Sequence, residues 1–249
     1  MSLPRPDAPI AVIGDIHGRA DLLEDIIDQL SRQGQAGRMR LIFAGDMIDR
    51  GPESGTVLRR LFGLSARPGP FAMVQCLMGN HERMMLDFLA DPAQNGARWL
   101  ASGGDITLAS LGLEPHNRGE AAQTAETRLQ ALAASLAAEL GSALISWLSD
   151  CPLYWREGSL AVCHAGADPA QPVEGQTEET LLWGHSDFRK RLRKDGAWIA
   201  HGHFIVSQPQ AEKGCIAVDT GAWRSGRLTA AILDGDGLRF LQSGAGTAA

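Results

Sequence analysis

Three short stretches of this chain set acidic, imidazole and amide side chains between glycines: Gly14-Asp15-Ile16-His17-Gly18, Gly45-Asp46-Met47-Ile48-Asp49-Arg50-Gly51 and Gly79-Asn80-His81-Glu82. Asp15 and His17 are two residues apart, so both can face one ion. Asp46 offers a carboxylate able to bridge two cations, and Asn80 a neutral carbonyl oxygen. His164 and the Gly202-His203 pair add imidazole nitrogens much later in the chain. A mixed nitrogen and oxygen donor set without thiolate suits manganese, iron, zinc or cobalt rather than calcium or copper. Six such ligands with one bridging group fit two divalent ions, with water filling the remaining positions. Two ions roughly 3.5–4 Å apart can share a water and lower its pKa, which makes hydroxide available near pH 7.

Converging these residues requires elements that end at them. Ile10–Ile13 is a short apolar run that stops at Gly14 and reads as a buried strand. Leu41–Ala44 reads as a second strand running into Gly45, and Phe71–Met78 as a third running into Gly79. Between them, Ala20–Gln33 has Leu22, Leu23, Ile26, Ile27 and Leu30 at helical spacing, and a helix opening at Pro52 places Val57, Leu58, Leu61 and Phe62 on one face. Strand alternating with helix indicates a parallel sheet, whose ligands bind beyond the carboxyl ends of its strands. A further helix runs through Met84, Met85, Phe88 and Leu89.

Residues 93–150 hold no convincing strand. Ala121–Leu140 reads as one long helix and Ser142–Leu148 as another, so the segment is expected to be a helical insert capping the sheet. After Asp150 the pattern is mostly strands: Leu153–Arg156, Leu160–Cys163, Trp198–His201, Cys215–Asp219, Leu228–Leu233 and Leu238–Gln242. The expected organisation is a tail over 1–9, one domain over 10–242 carrying the insert, and a frayed tail over 243–249.

The chain has 249 residues, 44% of them hydrophobic, and a formal charge of −6. That balance argues against a broad basic footprint for duplex nucleic acid, but not against phosphate ligands, because bound metals reverse the local sign. The N-terminus lacks the pattern of a signal peptide, and no apolar run reaches the roughly 18 residues that span a bilayer. A cytoplasmic protein with no membrane partner is expected. Cys76, Cys151, Cys163 and Cys215 form no Cys-x-x-Cys pair and read as core residues in a reducing compartment. The tryptophans are too scattered to stack single-stranded nucleic acid, and core packing is their default. The charge run Arg189–Lys194 reads as a solvated helix face, His116 as an exposed loop residue, His201 as a core residue behind the site and Asp219-Thr220-Gly221 as a turn near it.

The three glycine-bounded stretches resemble the signature motifs of the calcineurin-like metallophosphoesterases. Asp49-Arg50-Gly51 with Asn80-His81-Glu82 resembles the branch containing serine/threonine protein phosphatases, phage lambda phosphatase and the symmetrical diadenosine tetraphosphatases. His164-Ala165-Gly166 and Gly202-His203 look like its later histidine motifs, and Trp99-Leu100, Gly103-Gly104 and Thr107-Leu108 resemble the insert of bacterial members. The resemblance runs from Ile10 to about Gly221. It implies a mixed α/β fold, a four-layer α/β/β/α sandwich with a helical insertion. It implies one metal held by Asp15, His17 and Asp46, and a second held by Asp46, Asn80, His164 and His203, with manganese first among the candidates.

The reaction it implies is hydrolysis of a phosphate ester by metal-activated hydroxide. His81 would protonate the leaving oxygen, Asp49 would orient His81, and Arg50 would fork onto the phosphate. Arg83, next in line, reads equally well as a helix salt bridge. The sequence departs from the family in Leu182-Trp183-Gly184-His185, where a second phosphate-binding arginine is usual and His185 stands. Either His185 contacts the phosphate, Arg189 reaches in, or that clamp is absent. Phosphoserine or phosphothreonine on protein is the first expected substrate, diadenosine tetraphosphate the second. A catalytically silent phospho-ligand-binding module is the competing reading of another class.

Overall fold

A computed structural model describes residues 2–113 and 124–244. The expected position of His116 and the first residues of the helix begun at Ala121 lie outside that range. Among the described residues, ten strands form two five-stranded sheets. The first sheet contains β1 (Ile10–Ile13), β2 (Arg40–Phe43), β3 (Met73–Cys76), β9 (Thr229–Asp234) and β10 (Gly237–Gln242), in the order β10-β9-β1-β2-β3. β1, β2 and β3 run parallel, as the strand–helix alternation requires, and β9 lies antiparallel beside β1. The second contains β4 (Tyr154–Glu157), β5 (Leu160–Cys163), β6 (Trp198–His201), β7 (Gln210–Glu212) and β8 (Cys215–Ala217), in the order β4-β5-β6-β8-β7. Its central strands β5, β6 and β8 are parallel.

The period-2 alternation of strand side chains sorts the core into layers. Ala11, Ile13, Leu41 and Phe43 face helices α1 (Ala20–Ser31), α2 (Ser54–Ala66) and α3 (Asn80–Ala90), while Ile10, Val12 and Ile42 meet Val162, Ala200 and Ile216 of the second sheet. The outer face of that sheet packs Cys163 and Ile199 against Leu181 of α8 (Glu178–Trp183) and Phe188. The α/β/β/α sandwich is therefore present. The insert comprises α4 (Pro92–Trp99), α5 (Asp105–Ser110), α6 (Ala125–Leu140) and α7 (Ser142–Ser149), with a wide turn at Leu100–Gly104. Among the described residues no single helix is long and apolar enough to cross a membrane.

Several sequence expectations need correction. Strand β7 carries Gln-Ala-Glu, too short and polar to show an apolar pattern. Arg189–Lys194 forms turns rather than a helix face, and Arg193 is buried, where its guanidinium donates to the carbonyl oxygens of Asp168 and Gln171 and pairs with Asp195. Ser243 is not frayed: it is buried, and its amide donates to Leu228 O at 2.9 Å. Residues 245–249 lie outside the described range. All four cysteines are free and buried, as expected of core residues.

Candidate metal centre

Every predicted ligand sits just past the carboxyl end of a parallel strand. Asp15 and His17 follow β1, Asp46 follows β2, Asn80 opens α3 after β3, His164 follows β5 and His203 follows β6. The two sheets stack so that these ends share one edge. His164 Nδ1 meets Ala44 O across the sandwich at 3.0 Å, and His203 N donates to Asp15 at 3.1 and 3.2 Å.

Close backbone approach makes this possible. Gly45 has φ +96°, and a β-carbon there would press on the backbone of Gly79. Strain concentrates at the same edge. Of the seven non-glycine residues with left-handed φ among the described residues, five are His17, Asp46, Asp49, Arg50 and His203. Such conformations cost on the order of 1–3 kcal/mol each and persist only where surrounding contacts impose them. Glu82 imposes part of this one. Its buried carboxylate accepts from Asp46 N (2.9 Å), Met47 N (2.8 Å), Ile48 N (3.2 Å) and Gly79 N (3.1 Å), tying the loop after β2 to the loop after β3.

The side chains form two groups that share Asp46. On one side, Asp46 Oδ2 lies 3.5 Å from His17 Nε2 and 3.9 Å from His81 Nε2. On the other, Asp46 Oδ1 lies 3.3 Å from His164 Nε2, which is 2.7 Å from Asn80 Oδ1 and 3.2 Å from His203 Nδ1. His203 Nδ1 lies 3.0 Å from Asn80 Oδ1. His164 Nδ1 donates to Ala44 O, so in the neutral ring Nε2 is a bare lone pair facing the oxygens of Asp46 and Asn80. His17 is fixed likewise by donation from Nδ1 to Ile48 O at 2.7 Å. Carboxylate, amide and imidazole acceptors gathered this closely suit a divalent cation among them, which is the test that a metal site must pass.

The electrostatics make the same demand. Burial, then Asp219 and Asp46, push the Asp15 carboxyl well above its usual range. Burial and Asp46 push Glu82 up to about 7. Burial opposes ionisation of Asp46, but His164, His81 and His17 outweigh it and hold that carboxyl well below the usual range. Desolvation lowers His17 to about 3 and His203 to about 4, so both rings are neutral and able to ligate at neutral pH. The donor set and the excess of buried carboxylates fit two divalent ions.

One detail differs from the implied ligand assignment. The group around Asp46 Oδ2 is completed by His81, while Asp15 is engaged by the His203 amide. Asp15 stays at the edge of the cluster because Gly202 leaves room for it; a β-carbon there would overlap Asp15 Oδ1.

His81 Nδ1 donates to Asp49 Oδ2 at 2.6 Å. Asp49 receives two further donors from the insert: Thr107 Oγ1 at 2.6 Å on Oδ1 and Trp99 Nε1 at 3.1 Å on Oδ2. Burial pulls the His81 pKa down, but Asp46 and Asp49 outweigh it and the net shift is upward. Arg50 spans the two rings, with Nη1 2.9 Å from His17 Nε2 and Nη2 2.8 Å from His81 Nε2.

The remaining expected residues fall outside the cluster. His185 is turned onto its own loop, accepting from Asp187 N at 3.2 Å with Asp168 3.9 Å away. Arg189 lies instead beside Gln210, Glu212 and Cys215. Arg83 pairs with Glu178 at 2.8 Å. His201 is buried against Phe188 and Phe204, as expected of a core residue. Asp219 caps its turn by accepting from Gly221 N at 2.8 Å. The contacts of Glu82, Trp99 and Thr107 with the site are not visible in the sequence, although all three stand in stretches that carry the family resemblance.

Residues 8–206 match the profile of the calcineurin-like phosphoesterase family. The chain is 32% identical over 228 residues to serine/threonine-protein phosphatase 2 of Escherichia coli (strain K12), covering 88% of this chain and 90% of that protein. It is 28% identical over 241 residues to the asymmetrical bis(5'-nucleosyl)-tetraphosphatase PrpE of Bacillus velezensis, covering 88% and 86%. Its fold resembles the crystal structure of a cold-active protein-tyrosine phosphatase from Shewanella, with a TM-score of 0.60, 17% identity and coverage of 96% and 80%.

Proposed function

Because this chain belongs to the calcineurin-like phosphoesterase family, we propose that it hydrolyses phosphate esters at the Asp46-centred cluster, with His81 as the acid that releases the leaving group. The observation that carries this reading is the His81–Asp49 pair, 2.6 Å apart and buried beside both donor groups. Asp15, His17 and Asp46 would hold one ion and Asp46, Asn80, His164 and His203 the other. Two divalent ions there, manganese before iron, zinc or cobalt, would supply an ionised water and neutralise charge on the phosphoryl oxygens.

The chain's own residues do the rest. Asp49 keeps the proton on His81 Nδ1, so His81 Nε2 is the atom that can carry a second proton toward the ester oxygen. That proton passes to the leaving oxygen as its bond to phosphorus breaks and the bond from the attacking water oxygen forms. Arg50 lies against His81 Nε2 and His17 Nε2; on substrate binding its two Nη groups would turn to the phosphate as a fork, freeing Nε2 to donate. His17 and His164 are held in the ligating tautomer by Ile48 O and Ala44 O.

Seryl and threonyl phosphoproteins are the first substrate class, supported by the E. coli relative. The Bacillus relatives, named as asymmetrical hydrolases, support the dinucleoside polyphosphate class without supporting symmetrical cleavage. Four unpaired cysteines support a cytoplasmic setting.

The test is phosphate release by manganese-loaded protein, with a phosphoserine peptide and diadenosine tetraphosphate side by side and a chelator control. Release that the chelator abolishes is expected. Stoichiometric metal binding with no turnover of either ester would instead favour the silent binding module.

A further inference from the structure

Core packing is the default for tryptophan, and Trp223 departs from it. The residue is 37% exposed, and its indole N–H has no partner among the described residues. It stands in the short helix α9 (Ala222–Ser225), which a tight turn fixes at the rim of the metal centre. Gly221 takes φ +68° there, its amide is held by Asp219, and Arg19 Nη1 grips Ala222 O at 3.0 Å. The guanidinium of Arg50, the same group that bridges His17 and His81, lies 5.7 Å from the ring centroid. Arg224 lies 5.9 Å from it and makes no side-chain ion pair or hydrogen bond among the described residues. Both guanidiniums lie over the ring at the outer limit of cation–π contact, so a planar group stacking there displaces a cation from the ring face or inserts between them. Ile205, also 37% exposed, packs beside Gly221 and extends the apolar surface.

We propose that Trp223, with Ile205, is the platform for a planar aromatic leaving group, and that Arg224 receives a further phosphate when that group is a nucleotide. The proposal rests on the phosphoesterase reading and selects among its substrates. A phosphate held by Arg50 places its ester substituent beside the Trp223 ring. An aryl or nucleobase group can stack there, whereas a seryl side chain has no planar surface to offer. Stacking of a base on an aromatic side chain changes binding roughly fivefold to a hundredfold on alanine substitution.

The measurement is kcat/KM for phenyl phosphate, phosphoserine and diadenosine tetraphosphate in wild type, Trp223→Ala, Trp223→Phe and Arg224→Ala. Trp223→Ala should lower the phenyl phosphate to phosphoserine ratio roughly tenfold, and Trp223→Phe should largely keep it. Arg224→Ala should lower the dinucleotide to phenyl phosphate ratio; if that ratio stays put, the aryl group and not a nucleotide is the ligand of this platform. A phenyl phosphate to phosphoserine ratio unchanged in Trp223→Ala overturns the proposal. Tryptophan fluorescence titrated with ADP decides the matter independently of turnover: quenching in wild type that is lost in Trp223→Phe supports it, and quenching absent from wild type or retained in the variant overturns it. A wild type that hydrolyses none of the three esters would sink the phosphoesterase reading while this titration still reports on the platform.

Discussion

Trp99, at the end of α4 in the helical insert, donates its indole N–H to Asp49 Oδ2 at 3.1 Å, the same oxygen that receives His81 Nδ1. The insert therefore reaches the acid–base pair as well as covering the sheet. Thr107 fills the other carboxylate oxygen from α5, and Gly104 leaves the space that the Trp99 ring occupies. Trp99→Phe keeps the ring stacked on Phe88, 5.0 Å away, and removes only the donor. Asp49 then becomes a stronger acceptor, so the limb of the pH–rate profile belonging to His81 should move to higher pH, with turnover falling roughly tenfold. An unmoved limb would leave Trp99 a packing residue.

Loss of His81 or of Asn80 should be more severe. His81→Ala and Asn80→Ala are each expected to lower turnover by about two orders of magnitude or more, the scale of a lost general acid or a lost charge-stabilising group. Only Asn80→Ala should also weaken one metal, because Asn80 Oδ1 lies between His164 Nε2 and His203 Nδ1. Metal content by elemental analysis separates the two variants, and near-normal rates in both would refute the mechanism.

Glu82 should matter to stability before it matters to chemistry. Glu82→Ala leaves four buried amides without their acceptor. Each unsatisfied group costs about 1–3 kcal/mol, though the four are not additive. A fall in Tm of several degrees is expected, since about 1 kcal/mol shifts Tm by roughly 2–4 °C at this size. Glu82→Gln should rescue it only in part, because its NH2 group would face amide donors. A wild-type Tm in Glu82→Ala would mean that the loops after β2 and β3 are held by other contacts.

Metal uptake should release protons. Burial lowers the His164 pKa, but Asp46 and Glu82 outweigh it and raise it, so the metal-free ring carries a proton over more of the neutral range. Ligation needs Nε2 bare, so binding must displace that proton. Calorimetric titration with Mn2+ in buffers of different ionisation enthalpy should show more protons released at pH 6 than at pH 8. His17 and His203, lowered to about 3 and about 4, should contribute none. Equal release at both pH values would contradict the upward shift of His164.

Gly202→Ala tests the place of Asp15. The added β-carbon would overlap Asp15 Oδ1, so the carboxylate must move away from the cluster. Weaker binding of one metal is expected, read by equilibrium dialysis. Unchanged affinity for both ions would mean that Asp15 is not a ligand.

The sequence by itself determined the local features. Short apolar runs ending in glycine gave β1 and β2, because a buried parallel strand needs apolar side chains on both faces and a sharp turn at its end. The donor types in the three glycine-bounded loops were legible for the same reason: acceptors placed at consecutive strand ends have few other uses. The boundaries drifted by a few residues, with β3 confined to Met73–Cys76 and α2 starting at Ser54 rather than Pro52, since terminal hydrogen bonds depend on neighbours that local pattern does not contain.

Only the tertiary structure decided what meets across the chain. The return of β9 to pair with β1, the junction of Ala44 with His164, and the arrival of Trp99 and Thr107 at Asp49 join residues far apart in sequence. The same holds for His185, which stands where a clamp was expected but faces Asp187 and Asp168, and for Trp223, which composition assigns to the core and the α9 turn places at the rim. Side-chain type limits which contacts a residue can make. Which of them form is fixed by the packing of two sheets and an insert, and that packing is a property of the whole chain.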